Sequence, residues 1–241
     1  MWIKESPENI SAKKSGRDVL NFLYNHDIFY VMDNHLAAAW CWLQKLDKDT
    51  SYNFFHIDQH EDLWCNAPVE SYSYIKSNQY LTLDEFLSLE YVPFINCKDK
   101  VFNYGNYILQ TNKFYPNWFE NCIFACEDHI TNENLNILDN LNHEELLPKI
   151  IEFLNSNNPR IELHKKWILN IDIDYFFDDN KNQIIDDEYI KQLCINISTF
   201  MSNIEVITIS LSPEYCGGWD KSYRIAKIMT DIFGFNFELQ L

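Results

Sequence analysis

At 241 residues the chain is long enough for one substantial α/β domain and short for two, and its 46% hydrophobic and 16% aromatic content supplies a core and excludes global disorder. Thirty-six acids against 19 Lys+Arg leave a net charge of −17, which disfavours nucleic acid or an anionic membrane as partner and favours metal cations and cationic substrates. The seven cysteines form no C-x-x-C pair, the N-terminal residues hold no apolar signal region and no run approaches a membrane span, so a cytoplasmic protein is expected.

In chain order, "DIFYVMD" (27–33) predicts a strand, and the Ala-, Leu- and Trp-rich stretch 35–46 a helix. "YNFFHID" (52–58) reads as the next strand. Thr82 and Glu85 stand in capping-box spacing at the start of a short helix over 82–90. A strand is expected at 122–127, then a helix over 135–155 in which Pro148 marks a break or a new start. Strands at 166–174 and 204–212 flank a helix over 186–201. A helix over 218–233 and a short terminal strand in "FNFELQL" close the chain. Near-continuous apolar strands alternating with helices imply one domain over 1–241, α/β and doubly wound, with a mostly parallel sheet and helices on both faces. Strand order is not readable from this.

In such sheets the site lies beyond the carboxyl ends of the strands. There the sequence places Asp33 and His35; Asp58, His60 and Asp62; Asp172 and Asp174; and Glu214. In an extended segment the alternation of Asp58, His60 and Asp62 would put all three on one face, as would that of Asp172 and Asp174. Acids crowded beside a core repel one another unless a cation sits among them. The alternative is a polar strand end dipping into solvent. Carboxylates plus imidazole without thiolate suit Mn²⁺ or another hard-to-borderline divalent ion better than a soft one, and the four aspartates carry the charge that two divalent ions would neutralise. Such a pair could activate a shared water near neutral pH.

These residues resemble the ureohydrolase (arginase and agmatinase) superfamily, whose pattern is a His after one strand, D-x-H-x-D after the next, D-x-D after a later one and a Glu near the end. The resemblance spans about residues 28–220. It implies that His35, Asp58, Asp62 and Asp172 hold one Mn²⁺ and that His60, Asp58, Asp172 and Asp174 hold a second, with Asp58 and Asp172 shared. It also implies that Glu214 pairs with the substrate guanidinium and that Asp62 belongs to the catalytic set. The departures are specific. The family's G-G-D-H is "MDNH" here, and the element S-x-D-x-D-x-x-D-P becomes "NIDIDYFFD", without the proline. Trp64 stands where arginases carry an Asn that grips free arginine, and the chain is shorter than a typical arginase. It is thus most similar to the atypical peptide arginases, which convert arginine to ornithine inside ribosomally made precursor peptides. The implied partner is an arginine-containing precursor peptide.

Other residues admit two readings. His129 could be a proton shuttle or a surface histidine, and Asn106, beside Gly105, could meet substrate at the rim or only make a turn. Trp64 is assigned to substrate binding. His56 is expected deep in its strand, supporting the ligands, and Asp178 and Asp179 are expected to be solvated loop acids. Cys216, Gly217 and Gly218 would form a tight turn that aims Glu214. His26, His143 and His164 are assigned no function. Three alternative functions stay open: the same chemistry on a small guanidino compound such as agmatine, a zinc deacetylase of related fold, and a non-catalytic metal-stabilised binding protein. The deacetylase would call for one metal, a His-His pair and a catalytic Tyr.

Overall fold

The structure, a computed structural model, describes residues 1–16, 18–64, 81–94, 97–155, 159, 161 and 165–241. His164 lies outside the described residues. The strands are β1 (Trp2–Lys4), β2 (Leu23–His26), β3 (Phe29–Met32), β4 (Tyr52–Ile57), β5 (Glu90–Phe94), β6 (Cys97–Lys100), β7 (Phe119–Ala125), β8 (Ile137–Leu141), β9 (Trp167–Asp172) and β10 (Ile204–Ser210). The α-helices are α1 (Ala38–Lys45), α2 (Leu83–Ser88), α3 (Tyr107–Phe114), α4 (His143–Leu154), α5 (Asp187–Thr199), the single turn α6 (Pro213–Cys216) and α7 (Trp219–Phe233).

Eight strands form one sheet in the order β1-β2-β3-β10-β9-β4-β7-β8, and β5 pairs with β6 as a separate hairpin. Within the eight-stranded sheet the pairings from β3 through β10, β9, β4 and β7 to β8 are parallel, and β1–β2 and β2–β3 are antiparallel. The central strands β3, β4 and β9 are buried along their whole length. That explains their unbroken apolar runs, because a strand covered on both faces has no side that favours polar residues. Alternate side chains feed two cores. Phe55, Ile57, Leu169, Ile171, Ile207 and Ile209 pack with α4, α5 and α7. Phe54, Phe124, Ile168, Val206 and Met32 pack with α1, α2 and α3.

From β4 the chain moves outward to β7 and β8, then returns to β9 beside β4 and moves the other way to β10. Connections therefore leave β4 and β9 in opposite directions, which opens a crevice at their carboxyl ends. Asp58 and Asp172 lie there.

Several expectations need correction. The stretch 135–155 is not one helix. Residues Ile137–Leu141 pair with β7 as the half-buried edge strand β8, and helix begins only after Asn142. Asn142 makes a capping box with Glu145, which fixes the boundary. Pro148 sits inside α4 without ending it. Its missing donor costs about 3 kcal/mol. Burial of Leu146, Ile150, Phe153 and Leu154 outweighs that at about 1.5–3 kcal/mol each. Residues 235–241 form no strand. Phe235, Phe237 and Leu239 are buried at period two, as the pattern implied, but they pack on side chains such as Trp2 and Tyr24 and the backbone joins no ladder. The sequence reading also missed β1, β2, the β5–β6 hairpin and α3. Among the described residues no helix is long and apolar enough to cross a membrane.

Candidate metal centre

The acids converge by turning, not by alternation along extended strands. β4 ends at Ile57, and Asp58 Oδ1 accepts the His60 backbone N–H at 2.7 Å, which curls the chain. Asp62 then adopts the left-handed region, with φ 51°. β9 likewise ends at Asp172, whose Oδ1 accepts from the Asp174 N–H at 3.0 Å and caps a 3-10 turn over Ile173–Phe176. The same short side chain that could bind a cation closes its own turn with its other oxygen. His35 opens a 3-10 turn whose cap is the Asn34 side chain, accepting from Leu36 N–H.

These turns bring six side chains together. His35 Nδ1 lies 3.3 Å from Asp62 Oδ2 and 3.4 Å from both Asp58 Oδ2 and Asp172 Oδ2. His60 Nδ1 lies 3.2 Å from Asp174 Oδ2 and 3.5 Å from Asp58 Oδ1. All but His60 are buried. Three overlapping groups have ligand atoms close enough to hold a metal ion: His35, Asp58 and Asp172; Asp58, His60 and Asp174; and His56, Asp58 and Asp62. Asp58 belongs to all three.

The electrostatics call for a cation. Burial, then the charges of Asp174, Asp62 and Asp172, push the Asp58 carboxyl well above the ordinary carboxylate range. Burial also raises Asp62, against the pull of His35. Burial and the neighbouring Asp174 lift Asp172 to about 7. Burial opposes the charged form of His35, but Asp172, Asp62 and Asp174 outweigh it and raise its pKa. The hydrogen bond to Asp174 raises His60 to about 9. Among the described residues lining this cavity there is no lysine or arginine. Asp58 Oδ2, although buried, accepts no hydrogen bond. A donor set of carboxylates and imidazoles with an unclaimed carboxylate oxygen at its centre fits a divalent cation.

Behind the ligands runs a fully buried hydrogen-bond chain. Thr208 Oγ1 donates to Asn170 Oδ1 at 2.6 Å, and Asn170 Nδ2 donates to both His56 Nδ1 and the Tyr107 hydroxyl at 2.9 Å. Tyr107 OH lies 3.0 Å from His35 Nδ1, and His56 Nε2 lies 3.1 Å from the His60 carbonyl. Burial and the neighbouring His35 depress His56 well below the usual histidine range, so it stays neutral. His56 is buried in its strand, and with Nδ1 accepting from Asn170 and Nε2–H directed at the His60 carbonyl it has no lone pair left for an ion. On the other side Ser212, held at φ 41°, donates to Asp172 Oδ2 at 2.6 Å. Among the described residues, two of the four non-glycine residues with positive φ, Asp62 and Ser212, are therefore at this site.

Comparison with models of known protein families and with curated proteins found no match. The site therefore stands on its own geometry.

The remaining candidates divide. Glu214 and Trp64 line a cavity of about 180 Å³ above the ligands, and Glu214 is exposed at its mouth on α6. Gly217 and Gly218 follow with φ 79° and 121°, the turn expected beyond Glu214. Trp64 lies against Gly105 so closely that a Cβ there would come within 2.9 Å of the indole, which is why that position is glycine. Asn106 is not brought to the cavity. It is buried, with its Oδ1 accepting from Asn103 N–H and its Nδ2 donating to the Val101 carbonyl, so the turn reading describes it. His129 is exposed and lies outside the cavity lining. Asp33 turns away, accepting from the Asn21 backbone at 2.9 Å and side chain at 2.7 Å, and so anchors the N-terminal segment. Asp179 is not simply solvated, because it accepts from Gln59 Nε2 at 3.0 Å. The reading of the sequence missed Tyr104, Ser212 and Tyr215 on the cavity wall and Tyr107 and Asn170 in the buried chain behind it. "NYGNY" and "SPEY" placed tyrosines near the motifs, but Asn170 in mid-strand carried no such cue.

Proposed function

We propose that this chain is a Mn²⁺-dependent ureohydrolase with an arginase-like, doubly wound fold, acting on arginine within a peptide. The observation that carries the reading is the convergence of four buried carboxylates and two imidazoles beneath a cavity whose mouth bears a free-standing carboxylate, Glu214. His35, Asp58, Asp62 and Asp172 would hold one ion, and Asp58, His60, Asp172 and Asp174 the second. Ions bound there lower the pKa of water and so supply a nucleophile at neutral pH. The chain's own residues do the rest. Glu214 offers a guanidinium a charge-assisted, bidentate contact. Trp64, 44% exposed, presents a ring instead of an amide to the mouth, which suits a peptide better than a free amino acid. Ser212, Asn170 and Tyr107 keep the ligands in place. In the reaction water adds to the guanidinium carbon, the bond from that carbon to Nε breaks and Nε takes a proton, leaving urea and ornithine. The buried thiols suit a reducing cytoplasm. Deacylation is the second reading, kept by Tyr104 and Tyr215 on the cavity wall.

The test is direct. Protein supplied with Mn²⁺ is incubated separately with arginine peptides, free arginine, agmatine and an acetyl-lysine peptide, and urea and peptide masses are measured. Peptides that lose the mass of cyanamide as urea appears, with little urea from the free compounds, are the expected result. Acetate release without urea, or fast turnover of agmatine with untouched peptides, would overturn it. Elemental analysis should find two ions per chain; a single tightly held zinc would sink the two-ion reading.

A further inference from the structure

A second cavity, of about 350 Å³, adjoins the metal centre and plays no part in the chemistry above. Gln59 and Cys126 form the wall between them. The Gln59 N–H donates to Asp174 Oδ1 at 3.3 Å on one side, while its side chain donates to Asp179 on the other. Cys126 Sγ contacts the His60 carbonyl oxygen at 3.3 Å. The second cavity is lined by acceptors. Glu127, Asp178 and Asp179 bring three carboxylates, and no lysine or arginine is among its described lining residues. Two of its polar atoms have no partner: the hydroxyl of Tyr175, a residue 1% exposed, and Nδ1 of His143. Their rings meet edge to face at 4.6 Å. Burial lowers the His143 pKa against the pull of Glu127, which favours the neutral imidazole and its lone pair. Phe177 and Ile184 add apolar surface beside these groups.

The unpaired Tyr175 hydroxyl shares the cavity with three carboxylates, of which Asp178 already accepts from Asn182 and Asp179 from Gln59. With no lysine or arginine among the described lining residues, a donor-rich cation is what the cavity lacks, and the apolar surface suits a methylene stem. The geometry points to this cavity as a subsite for a second basic side chain of the substrate peptide, lysine-like, held by Glu127, Asp179 and Tyr175 while the reacting arginine occupies the metal centre. This inference rests on the peptide reading of the neighbouring site. It makes the enzyme selective for peptides with two basic residues at a set spacing.

The experiment uses peptides with one arginine and one lysine placed one to four residues to either side, each paired with a norleucine counterpart that keeps the stem and lacks the charge. Binding to the full-length protein is measured by calorimetry, and urea release is followed in parallel. At one or two spacings lysine should bind on the order of tenfold tighter than norleucine. That ratio should fall toward unity in Glu127→Gln and shrink in Tyr175→Phe. Glu127→Gln, on an exposed loop, keeps the test valid if loss of the buried hydroxyl harms folding. Equal binding at every spacing overturns the subsite. So does a lysine advantage that is the same at all spacings and unmoved by both variants, which would report general attraction to an acidic protein. Urea without a lysine preference refutes the subsite alone, whereas a spaced lysine preference without urea refutes the reading of the metal centre alone.

Discussion

Asp58 has one oxygen committed to the chain and one uncommitted: Oδ1 closes the turn to His60, while Oδ2 faces His35 and His56 without a hydrogen bond. Asp58→Asn keeps an acceptor for the turn and removes the charge. Mn²⁺ affinity should fall by on the order of 100-fold or more, measured by calorimetry, while the metal-free variant melts above the parent because one buried repulsion is gone. The pH dependence has a defined sign. The Asp172 pKa is lifted from 3.8 to about 7 and that of His60 from 6.5 to about 9, so the folded state binds more protons than the unfolded one. Stability from these groups is present at low pH and lost as pH rises through about 7 for Asp172 and about 9 for His60. Metal-free protein should therefore melt lower at about pH 8 than at about pH 5, and Mn²⁺ should raise the melting temperature most at the higher pH. A melting temperature of the metal-free protein that rises across that range contradicts the assignment. Behind the ligands, Tyr107→Phe deletes a hydroxyl shared by Asn170 and His35. It should cost about 1–3 kcal/mol of stability and weaken Mn²⁺ binding about 10–100-fold, whereas a hydroxyl with only a packing role would leave the affinity unchanged.

At the scale of elements, Asn142 separates β8 from α4, accepting from Glu144 and Glu145 N–H at 2.9 and 3.1 Å. Asn142→Ala should lower stability by about 1 kcal/mol, which for a chain of this size is a melting shift of roughly 2–4 °C. No shift in a thermal melt would mean that the boundary is set by packing alone. This element also shows what a sequence reveals. β4, β9 and β10 were legible because burial on both faces leaves unbroken apolar runs, and the converging acids and histidines were legible because charges at the ends of such runs are costly unless used. β8 was not, because an edge strand with one open face carries little pattern, and its leucines fell at helical spacing with those of α4. The turns at Asp58 and Asp172 were read as extended because period-two spacing does not record a side chain bonding to its own backbone. Tyr107 and Asn170 meet only through packing between α3 and β9, far apart in the chain, so no local signal joins them.

At the scale of the whole molecule, a net charge of −17 acts on encounter more than on bound contacts. Association of a basic arginine peptide should slow by on the order of tenfold as salt rises from roughly 0.02 to 0.5 M, with a much smaller change in dissociation. Stopped-flow rates indifferent to salt would show that the field plays no part. The placement of the ligands has a further consequence. They come from the ends of β3, β4 and β9, adjacent across the sheet or one strand apart, yet they lie between His35 and Asp174 in a chain whose two stretches wind on opposite faces. A cation seated among them acts as a staple, closing a loop of chain longer than most disulfides span, and neither stretch retains it alone. Separation of β4 from β9 would then release the ion, although the strands pair without it. With free ion at a thousand times its Kd, such a staple would add about 4 kcal/mol to the native state, so a bound ion would also report whether the sheet is whole.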